Sequence, residues 1–145
     1  KLEIHLSGNI DGEVLAEIKS FPYLKAKVKQ LGYLSHAEVL AEYNEASVLL
    51  LLLFNSKSGV GNYPGKIFEY FAAKRFILAF GPENSDTEKL IKKTKTGIYF
   101  SYDKINLKND ILDLFKSENQ FNFENIESFS REKLTKDLTG LLNNI

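Results

Sequence analysis

Apolar positions along this chain switch period in a regular order. "LEIHL" (2–6) reads as a strand ending at Gly8, and "DGEVLAEIKSF" (11–21) carries Val14, Leu15 and Ile18 at helical spacing. "AKVKQLG" (26–32) alternates with period two, and "SHAEVLAEYNEA" (35–46) is helical. "SVLLLLLF" (47–54) is a continuous apolar run of strand length, expected to be buried on both faces. A loop at 55–63 precedes a helix over 64–74, a strand over 76–80, a helix over 85–95 and a strand over 97–102. Helices are expected over 105–117 and 131–144, joined by the polar segment 118–129. Local signals agree with this order. Ser35 and Ser85 are each followed three residues later by Glu, the capping-box spacing, and Pro64 stands at the first turn of its helix. Strands separated by single helices imply parallel crossovers. The expected fold class is therefore α/β, a Rossmann-like doubly wound parallel sheet with helices on both faces, in one domain over 1–145. In such sheets ligands bind beyond the C-terminal strand ends. That places loops 7–11, 32–35, 55–64, 81–85 and 102–104 on the functional edge.

Composition narrows the function. The 145 residues are 43% apolar and 26% charged, with 19 basic against 19 acidic side chains, so no global field draws nucleic acid. No cysteine is present, which excludes disulfides, thiolate metal sites and cysteine catalysis. Two histidines without cysteine give no expectation of a metal site; His5 is read as structural and His36 as a surface residue at a helix start. Asp11, Glu13, Asp86 and Asp103 suit helix starts. The longest apolar run, Val48 to Phe54, is far shorter than the ~20 residues that cross a bilayer. The expected localisation is cytoplasmic, either free or at the inner face of the cytoplasmic membrane.

Candidate chemistry concentrates in "NSKSGVGNYPGKIFEYFAAK" (55–74). Gly59, Gly61 and Gly65 allow close backbone approach to a ligand, and the helix that follows offers free N–H groups to an anion. Within that helix Ile67, Phe68, Phe71 and Ala72 are read as the apolar stripe. Glu69 lies about one turn in, three residues after Lys66. A solvated ion pair is one reading of the two. The other gives Glu69 the hydroxyl pair of a ribose and Lys66 a phosphate.

The segments "LGYLSHAEVLAEYNEASVLLLLL", "NYPGKIFEYFAAKRFILAFG" and "TKTG" resemble the C-terminal, donor-binding domain of retaining GT-B-fold glycosyltransferases, in particular the large bacterial group that builds surface polysaccharides. The resemblance spans about residues 2 to 100, and Pro64-x-Lys66-x-x-Glu69-Tyr70 is its most specific part. It implies that Glu69 binds ribose hydroxyls and that Gly65, Lys66 and Ile67 hold a diphosphate, with Lys66 stabilising its charge. Tyr33 and Leu34 would lie against the nucleobase, and the loop before Pro64 would face the sugar. Many relatives have a glutamate where this chain has Gly61, so Asn62 or Tyr63 is expected to serve the sugar instead. Relatives often have Gly and Pro where Lys74 and Phe76 stand, which puts Lys74 in a helix cap strained by roughly 1 kcal/mol.

The implied donor is a UDP- or GDP-linked sugar, with no separate cofactor. The acceptor, a glycan or lipid-linked saccharide, would be held by an N-terminal domain outside this chain. The chain opens at what resembles the family's second strand. The resemblance thus implies a fragment lacking the first βα unit, with little transferase activity alone. The basic run "KLIKKTK" (89–95) is read as a solvated helix face, with contact to an anionic membrane surface as a second use. Two alternatives stand beside the transferase. A non-catalytic module of receiver or flavodoxin type would need an acidic cluster after its first strand, where Ser7 and Gly8 stand. A GT-B-like sugar-nucleotide epimerase half would share the same nucleotide site.

Overall fold

The computed structural model describes residues 2–104, 107–116 and 123–143. In chain order these form β1 (Ile4–Ser7), α1 (Gly12–Ser20), α2 (Pro22–Lys25), β2 (Val28–Gly32), α3 (His36–Glu45), β3 (Val48–Leu52), α4 (Lys57–Val60), α5 (Lys66–Ala73), β4 (Phe76–Gly81), α6 (Asp86–Thr94), β5 (Gly97–Ser101), α7 (Leu107–Lys116), a 3-10 turn (Ile126–Phe129) and α8 (Arg131–Leu142). The chain is α/β and every strand pairing is parallel. Pairings divide into a two-stranded sheet, β1-β2, and a three-stranded sheet, β3-β4-β5; among the described residues they do not form the one continuous sheet that was expected. The chain resolves into two compact units, Lys1–Glu42 and Tyr43–Ile145. Three short elements had no counterpart in the expected order: α2, α4 and the 3-10 turn.

In the first unit, Ile4, His5 and Leu6 pair with Val28, Lys29 and Gln30. Gly8 and Gly32 follow or end these strands at φ 95° and 69°, a left-handed backbone that costs glycine little. Asp11 caps α1, accepting from the Glu13 N–H at 2.8 Å. The capping box at α3 closes reciprocally: the Ser35 N–H donates to Glu38 Oε2 at 2.7 Å, and the Glu38 N–H donates to Ser35 Oγ at 3.3 Å. Those bonds hold the Glu38 carboxyl below its ordinary value. His5 has the structural role expected of it, with Nδ1 2.7 Å from Glu42 Oε2 and Nε2 3.6 Å from Glu3.

In the second unit, Leu50, Leu78 and Ile98 stand in register across the sheet, as do Leu52, Phe80 and Phe100. The opposite face packs Leu49, Leu51, Leu53, Ile77, Ala79 and Tyr99 against Ile67, Tyr70 and Phe71 of α5, Leu90 and Ile91 of α6, and Ile126. So β3 is buried on one face. On its other face Leu50, Leu52 and Phe54 are exposed, Phe54 by 81%. The expectation of burial on both faces is corrected: among the described residues β3 pairs with no strand but β4, and α5 and α6 both pack on the Leu49–Leu51–Leu53 side.

"TKTG" is explained by packing. Thr94 Oγ1 donates to the Leu90 carbonyl at 2.8 Å and lies 3.0 Å from Thr96 Oγ1, both side chains wholly buried. A Cβ at Gly97 would overlap the Ile77 carbonyl, so only glycine lets β5 approach β4 here. Lys74 ends α5 at φ 50°, ψ 45°, the left-handed cap that was expected.

Candidate functional site

The C-terminal ends of β3, β4 and β5 carry the connections of the second unit. Pairing continues one residue past β3, where the Leu53 N–H donates to the Phe80 carbonyl at 2.9 Å. The chain then turns into α4, which Ser56 caps by accepting from the Gly59 N–H at 3.2 Å. What was expected as a plain loop therefore holds a helical turn. Gly59 is buried, and a Cβ there would overlap the Phe54 carbonyl. Its glycine serves internal packing, which corrects the reading that it admits a ligand. Gly61 and Gly65 are exposed, with open space where a side chain would stand.

Helix α5 begins differently from its neighbours. Ser56, Ser85 and Ser130 cap α4, α6 and α8 with their hydroxyls, whereas α5 starts at Gly65 and has no side-chain cap. Its first turn is tightened instead: the Ile67 N–H donates to the Pro64 carbonyl at 3.0 Å, and the Phe68 N–H to the Gly65 carbonyl at 3.2 Å. No side chain thus caps the N–H groups at this helix start. The acidic residue of the first turn is Glu69, half-buried. The Lys66–Glu69 ion pair is not formed: among the described residues neither side chain has a hydrogen-bond or ion-pair partner. A lysine and a carboxylate one turn apart are therefore both available.

The apolar stripe of α5 is rotated from the expected one. Ile67, Tyr70 and Phe71 are buried, while Phe68 and Ala72 are exposed. A period of 3.6 admits either set, and Tyr70 decides between them: its hydroxyl donates to the Leu50 carbonyl at 3.1 Å. The Leu53 N–H points to β4, so by strand alternation the Leu50 carbonyl points to the other edge of β3. Tyr70 thus occupies one acceptor of that edge. Tyr43 packs edge-on against Tyr70, ring centroids 5.0 Å apart. Burial raises both hydroxyls above the usual tyrosine range, with the nearby Glu69 charge adding to the rise. Glu69 therefore sits beside a pair of tyrosines.

On the other side of the loop lies the first turn of α6. Thr87 Oγ1 donates to the Asn62 carbonyl at 2.7 Å, from a side chain with no solvent exposure. Ser85 caps α6 through the Glu88 N–H at 3.0 Å, and Glu88 returns to the Asn84 N–H at 2.8 Å. Ser85 also donates to the Tyr99 hydroxyl at 2.9 Å, which in turn donates to the Pro82 carbonyl at 2.7 Å. Lys89 pairs with Asp86 at 2.8 Å; that bond is the main cause of its raised value, with a smaller contribution from Tyr63. Lys92 pairs with Glu88 and Lys95 with Glu124, so most of the basic face of α6 is neutralised by partners.

The sequence-derived site residues therefore fall into two groups. Asn62, Tyr63, Pro64, Gly65, Lys66, Ile67 and Glu69 fall in one stretch of the second unit, with Ile67 wholly buried. Tyr33 and Leu34 belong to the first unit, where Tyr33 is 91% exposed and presents an open ring. Thr87 and Tyr99 were not foreseen. Their polar partners are backbone or distant in sequence, and nothing in the pattern announces them. Neither the known protein families nor the curated proteins contain a match to this chain.

Proposed function

We propose that this chain is the nucleotide-sugar-binding half of a retaining GT-B-type glycosyltransferase that acts in bacterial surface polysaccharide synthesis. The observation that carries the reading is the start of α5: a helix N-terminus with no side-chain cap, followed by unpaired Lys66 and Glu69 one turn apart. Donor chemistry asks for those features. The leaving group is a nucleoside diphosphate, and free amides with an ammonium group stabilise the charge that develops on it. Glu69 accepts hydrogen bonds from the two ribose hydroxyls, bonds of the stronger, charge-assisted kind. Exposed Asn62 and Tyr63, on the loop before Pro64, serve the sugar.

The all-parallel pairing within each sheet, with helices between successive strands, supports the finer assignment of a doubly wound fold. The acceptor, a glycan or lipid-linked saccharide, would be bound by a further domain, and the reaction would take place at the cytoplasmic side of the membrane.

The test is calorimetric titration of UDP, GDP and ADP into this chain, and into a longer polypeptide that carries it, beside Glu69→Gln. The expected result is saturable binding of one nucleotide, weakened about tenfold or more in the variant, the scale of losing a hydrogen bond to a charged group. Absence of binding in both polypeptides refutes the reading.

A further inference from the structure

We propose that Thr87 is a positioning residue of the nucleotide site: its buried hydroxyl fixes the Asn62–Gly65 loop and thereby the start of α5. The proposal rests on the donor-site reading above and extends it to a residue on a different helix. The loop between α4 and α5 has little else to hold it. Gly61 and Gly65 have no atom within 4 Å of a Cβ position, and Asn62, Tyr63 and Lys66 are exposed. The carbonyls of Pro64 and Gly65 are used locally, by the N–H groups of Ile67 and Phe68. Against this the Thr87 Oγ1–Asn62 carbonyl bond spans 25 positions of sequence, is 2.7 Å long, and comes from a side chain with no exposure. A hydrogen bond shielded from water is stronger and more directional than one at the surface.

Its donor is also well placed. Thr87 lies in the first turn of α6, whose start is fixed independently by Ser85 on the Glu88 N–H and by Glu88 on the Asn84 N–H. Ser85 is tied in turn to Tyr99 of β5. A rigid chain of contacts thus runs from the sheet through α6 to the Asn62 carbonyl. The Ile67 and Phe68 amides are taken by the Pro64 and Gly65 carbonyls, so the groups the diphosphate would meet are the amide and ammonium of Lys66, four residues after Asn62. Their direction depends on where the loop is held.

Two substitutions separate positioning from packing. Thr87→Val keeps the volume and loses the hydroxyl; Thr87→Ser keeps the hydroxyl and loses a buried methyl group. Both will lower stability to some degree. Only Thr87→Val should free the loop. Hydrogen exchange on the ligand-free chain reads this directly. The Ile67 and Phe68 amides should exchange about fivefold faster in Thr87→Val and at the wild-type rate in Thr87→Ser, the scale of one hydrogen bond. Titration with the nucleotide that the wild type binds should show about five- to tenfold weaker binding in Thr87→Val, with recovery in Thr87→Ser. Equal loss in both variants, or unchanged exchange in Thr87→Val, overturns the positioning role and leaves the donor-site reading in place. If neither the wild-type chain nor the longer polypeptide binds UDP, GDP or ADP, with the exchange pattern intact, the donor site is removed; the Thr87 anchor is then a purely structural tie, and the proposal falls.

Discussion

A methyl group at position 81 should be intolerable only while Tyr99 keeps its hydroxyl. Gly81 ends β4 and its backbone is not left-handed, so conformation alone does not exclude alanine there. What excludes it is space: a Cβ would fall far inside contact with the Tyr99 hydroxyl, 3.2 Å from Tyr99 Cζ and 3.0 Å from Leu53 Cβ. A tyrosine tip can often swing aside. This one is held by two bonds, from Ser85 and to the Pro82 carbonyl. Gly81→Ala should therefore cost about 1–3 kcal/mol, the usual cost of overpacking a core. Tyr99→Phe removes both bonds and leaves the Pro82 carbonyl without that donor, a loss of about 1–3 kcal/mol. The double variant should cost less than the sum by at least ~1 kcal/mol, because the atom that meets the new methyl is gone. Stability would be read by denaturant unfolding followed by circular dichroism, since the chain has no tryptophan. Additivity within ~0.4 kcal/mol would show that the two sites do not share this contact, and would refute the packing described at the end of β4.

Four further outcomes are expected. Lys74→Gly should stabilise by about 0.5–1 kcal/mol, because glycine adopts the φ 50° cap without the strain of a side chain; a lower midpoint in denaturant would count against this. Gly97→Ala should destabilise by more than ~3 kcal/mol, since its Cβ would lie 2.7 Å from the Ile77 carbonyl carbon and neither backbone can yield; native-like unfolding of that variant would refute the β4–β5 approach. Burial first, then neighbouring charges and hydroxyls, raises Tyr70 above its ordinary value, so the unfolded chain loses that proton first once pH passes about 10. Stability present below that pH should fall as pH climbs through the window above it, with a shallower fall in Tyr70→Phe, as measured by unfolding at stepped alkaline pH. Conversely, the lowered Glu38 carboxyl supports the fold above its ordinary value of 4.5 and loses that support as pH falls below it; Glu38→Gln should flatten this acid limb in the same assay.

What could be read from residue order follows a physical division. Every regular strand and each long helix was legible, because hydrophobic period and helix caps are local properties: Ser35 and Glu38, or Ser85 and Glu88, act within four residues of each other. The αL cap at Lys74 was expected only through the resemblance, since no local signal in these residues announces it. Three kinds of feature were not legible. Four-residue helices such as α2 and α4 are too short to show a period. The face of β3 that becomes buried could not be chosen, since Leu repeats at every position from 49 to 53 and alternation carries no signal in a uniform run. The contacts made by Thr87, Tyr70 and Tyr99 depend on partners 17 to 25 positions away, all three being backbone carbonyls that every residue possesses. The candidate site divides along the same line. Lys66 and Glu69 could be found because they share one helix turn in an otherwise apolar sequence. The conclusion that they are unpaired, beside a helix start that no side chain caps, needed the fold: a Lys-x-x-Glu pair on a surface helix ordinarily closes for a few tenths of a kcal/mol. Here α5 turns Tyr70 inward to the Leu50 carbonyl, and the Lys66–Glu69 pair stays open. The tyrosine contact fixes on the sheet the helix that carries Glu69, so Tyr70→Phe should disturb the nucleotide binding proposed above as well as alkaline stability.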